Sequence, residues 1–172
     1  MTLMPPDVAE QLRAALAAHP DAMILELART HGVSELDVLE VVGVPRATPL
    51  DARKWDAILR ALPALGAVRV LVSNTAATME SRGTFGGFSQ TGDYFNVQTA
   101  TLDLHLRWRE IASAMALEKP SHQTGRPTAS IQLFTTNGAA ILKVFLLFGE
   151  HDGDVTARRA AFNALRTDFA LG

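Results

Sequence analysis

The spacing of apolar residues changes once along the chain, near residue 66, and this change limits the fold more than any single motif. Before it, apolar side chains recur at helical intervals among Ala, Leu, Glu, Asp and Arg. After it, Val, Thr, Phe and Gly dominate and apolar residues alternate with polar ones. A run of helices followed by a run of strands specifies an α+β fold rather than a doubly wound parallel sheet. The expected organisation is an N-terminal helical part, residues 1–65, and an antiparallel sheet part with a C-terminal helix, residues 66–172. Together they form one compact domain. A chain of 172 residues that is 48% hydrophobic, with a net charge of −2, is not disordered. At this size roughly 70% of the unfolded surface is buried on folding.

Four helices are predicted in the first part. Asp7–His19 follows Pro5 and Pro6, with Asp7 as N-cap and Val8, Leu12, Ala15 and Leu16 on one face. Asp21–Thr30 is the second, ended by Gly32 in the left-handed conformation. Ser34 caps the third, with Leu36, Leu39 and Val42 apolar and Asp37 at the position that completes a short capping box. Pro45 and Pro49 mark a linker, and Asp51–Leu62 is the fourth helix, with Trp55, Ile58, Leu59 and Leu62 inward.

The second part reads as strands. Val68, Val70 and Val72 open the first. Tyr94–Trp108 alternates as two strands bent near Thr99, and in the later one Leu102, Leu104, Leu106 and Trp108 face one way. Thr101, Asp103, His105 and Arg107 face the other. A further strand is expected within Ile111–Glu118. Ser130–Phe134 and Ala139–Leu146 flank Asn137-Gly138, a dipeptide suited to a type I′ hairpin turn. Lys143, mid-strand, must snorkel, pair with a carboxylate or point to solvent. Thr156–Phe169 closes the chain as a helix.

Several function classes are excluded. Without cysteine there is no disulfide, thiolate metal site or cysteine nucleophile. The charge balance gives no basic field for nucleic acid. The pair of helices across Ile24–Val42 resembles a helix-turn-helix, but its second helix carries Glu35, Asp37 and Glu40, which repel a polyanion. Met1–Pro6 is no secretory signal, and Ala139–Phe148 is too short to span a bilayer and is broken by Lys143. The expectation is a soluble cytoplasmic protein with neither nucleic acid nor membrane as partner. There is no phosphate loop, no His-Glu-x-x-His and no Gly-x-Ser-x-Gly. Gly83, Gly86 and Gly87 read as sheet bends rather than as a nucleotide loop.

Among the five histidines, His19 and His31 lie at helix ends and His122 in a polar loop. His151 with Asp152 and Asp154 lacks a full ligand spacing. His105 differs, because a strand holds it between Asp103 and Arg107. It is either a surface histidine or a rigidly held ligand or base. A neutral imidazole ligates haem iron well. Met79 and Met115 are soft donors that read better as packing residues.

An ordered set of segments resembles the ChuX/HutX family of intracellular haem-utilisation proteins. The set begins with Leu36-Asp37-Val38-Leu39-Glu40-Val41-Val42 and Trp55, followed by Val70-Leu71-Val72-Ser73, Glu80 and Gly83. Gly92 then precedes Tyr94-Phe95-Asn96, and His105 and Glu118 follow. Thr128-Ala129-Ser130, Leu133-Phe134, Asn137-Gly138 and Leu142-Lys143-Val144-Phe145 complete it. The resemblance covers Ala28–Phe169. It implies N-terminal helices followed by a curved antiparallel sheet and a C-terminal helix, as in proteins of the HemS, ChuS and ChuX type. It also implies a homodimer and a cytoplasmic carrier, rather than an enzyme, that binds haem for storage or for handover to a haem-degrading partner.

Of the two histidines associated with the family's haem site, one falls on His105, the implied metal ligand, and the other on Ser73. Leu104 stands where the family has glycine, a bulk expected to crowd a porphyrin. Lys119–Pro127 is longer and more polar than the family's segment. Arg69, Arg82 and Arg107 are candidate propionate partners, and Tyr94 joins them as a haem contact. Three readings stay open: haem held by His105 alone, haem with a different second ligand, or another apolar or anionic small molecule on the same fold.

Overall fold

The computed structural model describes residues 4–74, 76–148 and 154–171. It has the expected α+β fold. Helix α1 (Pro6–Ala18) begins before Asp7, because Pro5 occupies the N-cap and the fixed φ of proline suits the first helical turn. Asp7 is therefore a first-turn residue rather than the cap. Helix α2 (Ile24–His31) starts three residues later than its pattern suggested. The segment after Pro20 is a turn, closed by Ala22 N–H to His19 O at 3.0 Å. Gly32 ends α2 at φ 65°, as expected. In α3 (Glu35–Val42) the short capping box is present: Ser34 Oγ accepts from Asp37 N–H at 3.1 Å, and Asp37 Oδ2 accepts from Ser34 N–H at 2.9 Å.

The proline-marked linker contains a strand, β1 (Ala47–Leu50), too short to show a period. Pro49 fits there because β1 is an edge strand, where a ladder can lack a donor. The expected fourth helix is divided: a 3-10 turn at Ala52–Lys54 runs into α4 (Trp55–Ala61), and a second 3-10 turn covers Leu62–Leu65. Asp51 caps the first turn by accepting from Arg53 N–H at 3.1 Å.

Then follow β2 (Ala67–Ser73), β3 (Thr78–Thr84), β4 (Phe88–Thr91), β5 (Tyr94–Gln98), β6 (Asp103–Arg107), β7 (Ser113–Pro120), β8 (Pro127–Phe134), β9 (Ala140–Leu146) and α5 (Val155–Phe169). Six strands form one antiparallel sheet in the order β1-β7-β8-β9-β2-β3, and β4-β5-β6 form a second. The glycine-rich stretch is a sheet bend, as expected. Gly87 (φ 64°) passes so close to Gln98 that a Cβ would fall 1.9 Å from its carbonyl oxygen.

Strand alternation gives the large sheet two different faces. Val68, Val70, Ala114, Ala116, Ile131, Leu133, Leu142, Val144 and Leu146 form an apolar face. They share one core with α4, α5 and the inner side of the small sheet. The opposite face carries Met115, Leu117 and Phe134 beneath α1–α3, which form a second core with Leu12, Ala28, Leu36 and Leu39. Toward β9, β2 and β3 this face becomes polar, with Gln132, Lys143 and Arg69.

The β8–β9 connection is not a two-residue type I′ turn. Among the described residues no non-glycine residue has positive φ, so Asn137 cannot occupy the first position of such a turn. A five-residue loop forms instead, with Gly138 at φ 77°, Thr135 N–H donating to Ala139 O at 3.0 Å, and Asn137 Oδ1 accepting from Ala139 N–H at 3.2 Å. The loop packs on the start of α3. Gly138 O accepts from Leu36 N–H at 3.3 Å, and a Cβ at Gly138 would fall 2.1 Å from Ser34 Oγ.

Lys143 pairs with a carboxylate. Its ammonium donates to Glu35 of α3, and the two residues are 7% and 6% exposed. Removing one member strands the other charge away from water, whereas removing both does not. Lys143→Met should therefore lower the unfolding free energy by about 3–5 kcal/mol. Adding Glu35→Leu should recover most of that loss in the same denaturant titration.

Candidate functional site

The small sheet presents a polar outer face. Phe95, Val97, Leu102 and Leu106 point inward and are buried. Trp55 of α4 meets Phe95 edge-on at 5.5 Å and stacks on Trp108 at 5.3 Å, which fixes the sheet against the helix. Alternation sends the intervening residues outward. Register aligns Asn96 with His105 and Ser89, and Tyr94 with Arg107 and Thr91.

A hydrogen-bonded row crosses all three strands. Asn96 Nδ2 donates to Ser89 Oγ at 3.0 Å, and Asn96 Oδ1 lies 2.8 Å from His105 Nδ1. With its amide nitrogen engaged by Ser89, Asn96 offers the ring only an acceptor. In the neutral ring this acceptor favours the proton on Nδ1 and the lone pair on Nε2. The second hydrogen bond of an imidazole decides which nitrogen can take a metal. The His105 side chain is 56% exposed, and its Nε2 lies 3.5 Å from Asp103 Oδ1. Arg107 is exposed two residues along the same strand face.

Leu104 lies on the other side of this sheet. Strand parity turns it inward, among the partly buried residues packed on the core, so its bulk does not stand on the face of His105.

Arg69 and Arg82 belong elsewhere. They are cross-strand partners on β2 and β3, on the large sheet's polar face. Of the sequence-predicted residues, His105, Arg107 and Tyr94 form one group and Arg69 and Arg82 another. Ser73, at the end of β2, lies with the second group. Met115 is buried in the helical core, and Met79 lies exposed on β3. His151 and Asp152 lie outside the described residues. Among the described residues no three His, Asp or Glu side chains cluster as a metal site, and no helix is long and apolar enough to cross a membrane.

Arg69 and Ser73 line a cleft of about 330 Å³. Its floor is the large sheet, with Gln132, Lys143, Phe145 and Leu71. One wall is the start of α2, and the other is the end of β7 with Lys119 and the loop after it with Ser121 and His122. Lys119 donates to Asp21 O at 2.9 Å, and burial pulls its ammonium pKa below the usual lysine range against the opposing pull of Asp21. A separate hollow of about 540 Å³ borders β1 and Glu40. Burial, with Asp37 nearby, raises the Glu40 carboxyl pKa.

The contribution of Asn96 was not foreseen, although Tyr94-Phe95-Asn96-Val97 alternates and so marks Asn96 as outward-facing. What the pattern lacks is the register that sets it against His105.

Residues 32–169 match the family model described as the haemin-degrading HemS.ChuX domain. No curated protein matches the chain. Among solved structures, a protein from Erwinia carotovora is 25% identical, with a TM-score of 0.83, covering 92% of this chain and 98% of its own. The haem-binding protein ChuX is 24% identical with a TM-score of 0.78, over 91% of this chain and 97% of its own. Holo-PhuS, a haem-binding protein from Pseudomonas aeruginosa, is 24% identical with a TM-score of 0.72. It matches 99% of this chain but 49% of its own, so this chain spans about half of it.

The Ser89–Asn96–His105 row has a direct spectroscopic consequence. Nitrogen NMR of the ligand-free protein should find the neutral His105 ring as the Nδ1-protonated tautomer. Asn96→Leu should return it to the Nε2-protonated form that free imidazole prefers. The same tautomer in both proteins would mean that Asn96 does not set it.

Proposed function

Because the chain belongs to the HemS/ChuX domain family, matched over residues 32–169, we propose that it is a haem carrier whose His105 Nε2 takes the iron. One observation carries this reading: Asn96 Oδ1 lies 2.8 Å from His105 Nδ1, an acceptor for the proton on that nitrogen that leaves Nε2, 3.5 Å from Asp103 Oδ1, as the one to take a metal. Imidazole nitrogen is a good donor to haem iron. A strand backed by packed aromatic residues holds the ring rigidly, as a ligand should be held. Haem in this place would supply an iron able to accept that nitrogen. Arg107 and Tyr94, paired across β5 and β6, would supply a cation and a hydroxyl for the propionates.

The outer face of the small sheet is open and polar, so a porphyrin lying on it needs a second covering surface. A homodimer supplies one, and the half-length match to PhuS supports two such folds working together. Arg69 and Arg82, remote from His105 in their own chain, would reach haem only across such a contact. Delivery to a haem-degrading enzyme in the cytoplasm completes the proposal.

Hemin titration of the apo protein, followed in the Soret region beside His105→Ala, tests the ligand. The expected result is saturation near one haem per chain, lost in the variant. Broadening that neither saturates nor responds to the variant would remove haem and leave another small molecule as the ligand of this fold. Arg107→Ala should weaken haem by roughly three- to tenfold, the size of one solvent-exposed hydrogen bond. Sedimentation should find two chains per particle, and a monomer at every concentration would remove the homodimer.

A further inference from the structure

We propose that the hollow at the β1 edge of the large sheet is a second ligand site, for a small amphipathic amine: an apolar body that carries a protonated nitrogen. The proposal does not rest on haem ligation by His105, and the hollow shares no lining residue with the cleft that contains Arg69 and Ser73.

Charge is the first observation. The hollow opens where α3 ends, beside Glu40, Gly43 and Val44. Glu40 stands in the last turn of α3, and no basic residue stands there with it. A helix C-terminus carries partial negative charge, so for stability alone this is the wrong place for a carboxylate. A residue that breaks a local rule in this way without compensation marks a functional position. The helix end is also short of donors. Pro45, four residues after Val41, has no N–H. Among the described residues no backbone N–H donates to the carbonyl of Glu40 or Val41. Burial, with the like charge of Asp37 nearby, raises the Glu40 carboxyl pKa. Arg53, the cation of the lining, is already held by both carboxylate oxygens of Asp51, at 2.8 and 2.9 Å. An ammonium seated here would lie beside a carboxylate and the negative end of a helix, and would offset the burial and the repulsion that Glu40 bears.

Shape is the second observation. The floor is apolar, with Leu36, Leu39 and Met115 from the helical core and Leu50 and Ala114 from the other. A volume of about 540 Å³ falls within the range of ordinary ligand pockets, roughly 300–1,000 Å³. Val44 and Leu171 also line it, 72% and 54% exposed. Large apolar side chains left in water at the mouth of an apolar hollow give a ligand surface to cover. The wall at Leu171 is fixed by the backbone: Leu171 N–H donates to Pro49 O at 2.9 Å, and Asp51 N–H donates to Phe169 O at 2.8 Å. The segment after α5 therefore runs along β1 and bounds the hollow.

Dansylcadaverine is a suitable probe, since it joins an environment-sensitive naphthalene to a primary amine. Its fluorescence should saturate at one probe per chain when it is titrated into the full-length apo protein. The N-acetyl derivative keeps the rings but not the charge, and should bind about three- to fivefold more weakly, the size of one exposed ion pair. Glu40→Gln should weaken the amine by a similar factor and leave the acetylated probe unchanged. It should also raise the melting temperature of the apo protein, because an anion at a helix C-terminus is gone. Ala112→Phe, at an exposed position of the lining, should weaken both probes by occupying the hollow. Equal affinity for the amine and its acetylated form would overturn the proposal, as would Glu40→Gln lowering both stability and binding, or Ala112→Phe leaving both probes untouched. Displacement of the probe by hemin would make the hollow part of the haem site and would also overturn it. Probe binding that weakens as protein concentration rises would make the hollow an interface between copies of the chain, with the same result. Loss of hemin binding in His105→Ala with the amine probe retained would support both sites. Absence of hemin binding in wild type with the probe retained would remove only the haem reading.

Discussion

The rest of the molecule depends on the unequal faces of the six-stranded sheet. A period of two sends Val68, Val70, Ile131, Val144 and their neighbours to one side, where they belong to one apolar core. That side is where α4, α5 and the small sheet pack, because a continuous apolar surface is best removed from water by other apolar surfaces. The opposite side is only half apolar, and α1–α3 cover only that half. The uncovered half is the cleft. The buried Lys143–Glu35 pair stands at the border, tying the polar half of the sheet to the third helix.

Much of this organisation was legible in the sequence, and its gaps have physical causes. The Ser34 capping box, the Gly32 stop and the strands around Asn137-Gly138 rest on local stereochemistry, which a short window contains. β1 escaped notice because four residues that include a proline show no period. β3 escaped because Met79, Ser81 and Gly83 on one side and Glu80 and Arg82 on the other present no apolar row. The hairpin loop kept its glycine in the left-handed region but not its expected turn type, because Asn137 satisfies the loop through its side chain.

The site was legible to the level of faces and no further. Alternation placed His105 and Arg107 together and turned Leu104 away from them. It could not separate Arg69 from His105, because that distinction is one of topology: β2 belongs to the large sheet and β6 to the small one. Likewise Asn96 and Gln132 are ordinary amides in sequence. Each acquires meaning from its cross-strand neighbours, His105 in one case and Lys143 in the other.

Gly138 links the two halves of the chain. An eight-residue helix such as α3 does not hold its shape alone in water. Its first turn is completed by a carbonyl from the β8–β9 loop, received at Leu36 across about a hundred residues of intervening chain. The helix is therefore fully satisfied at its start only when the hairpin is closed. A residue that looks like local turn punctuation thus joins the late strands to an early helix.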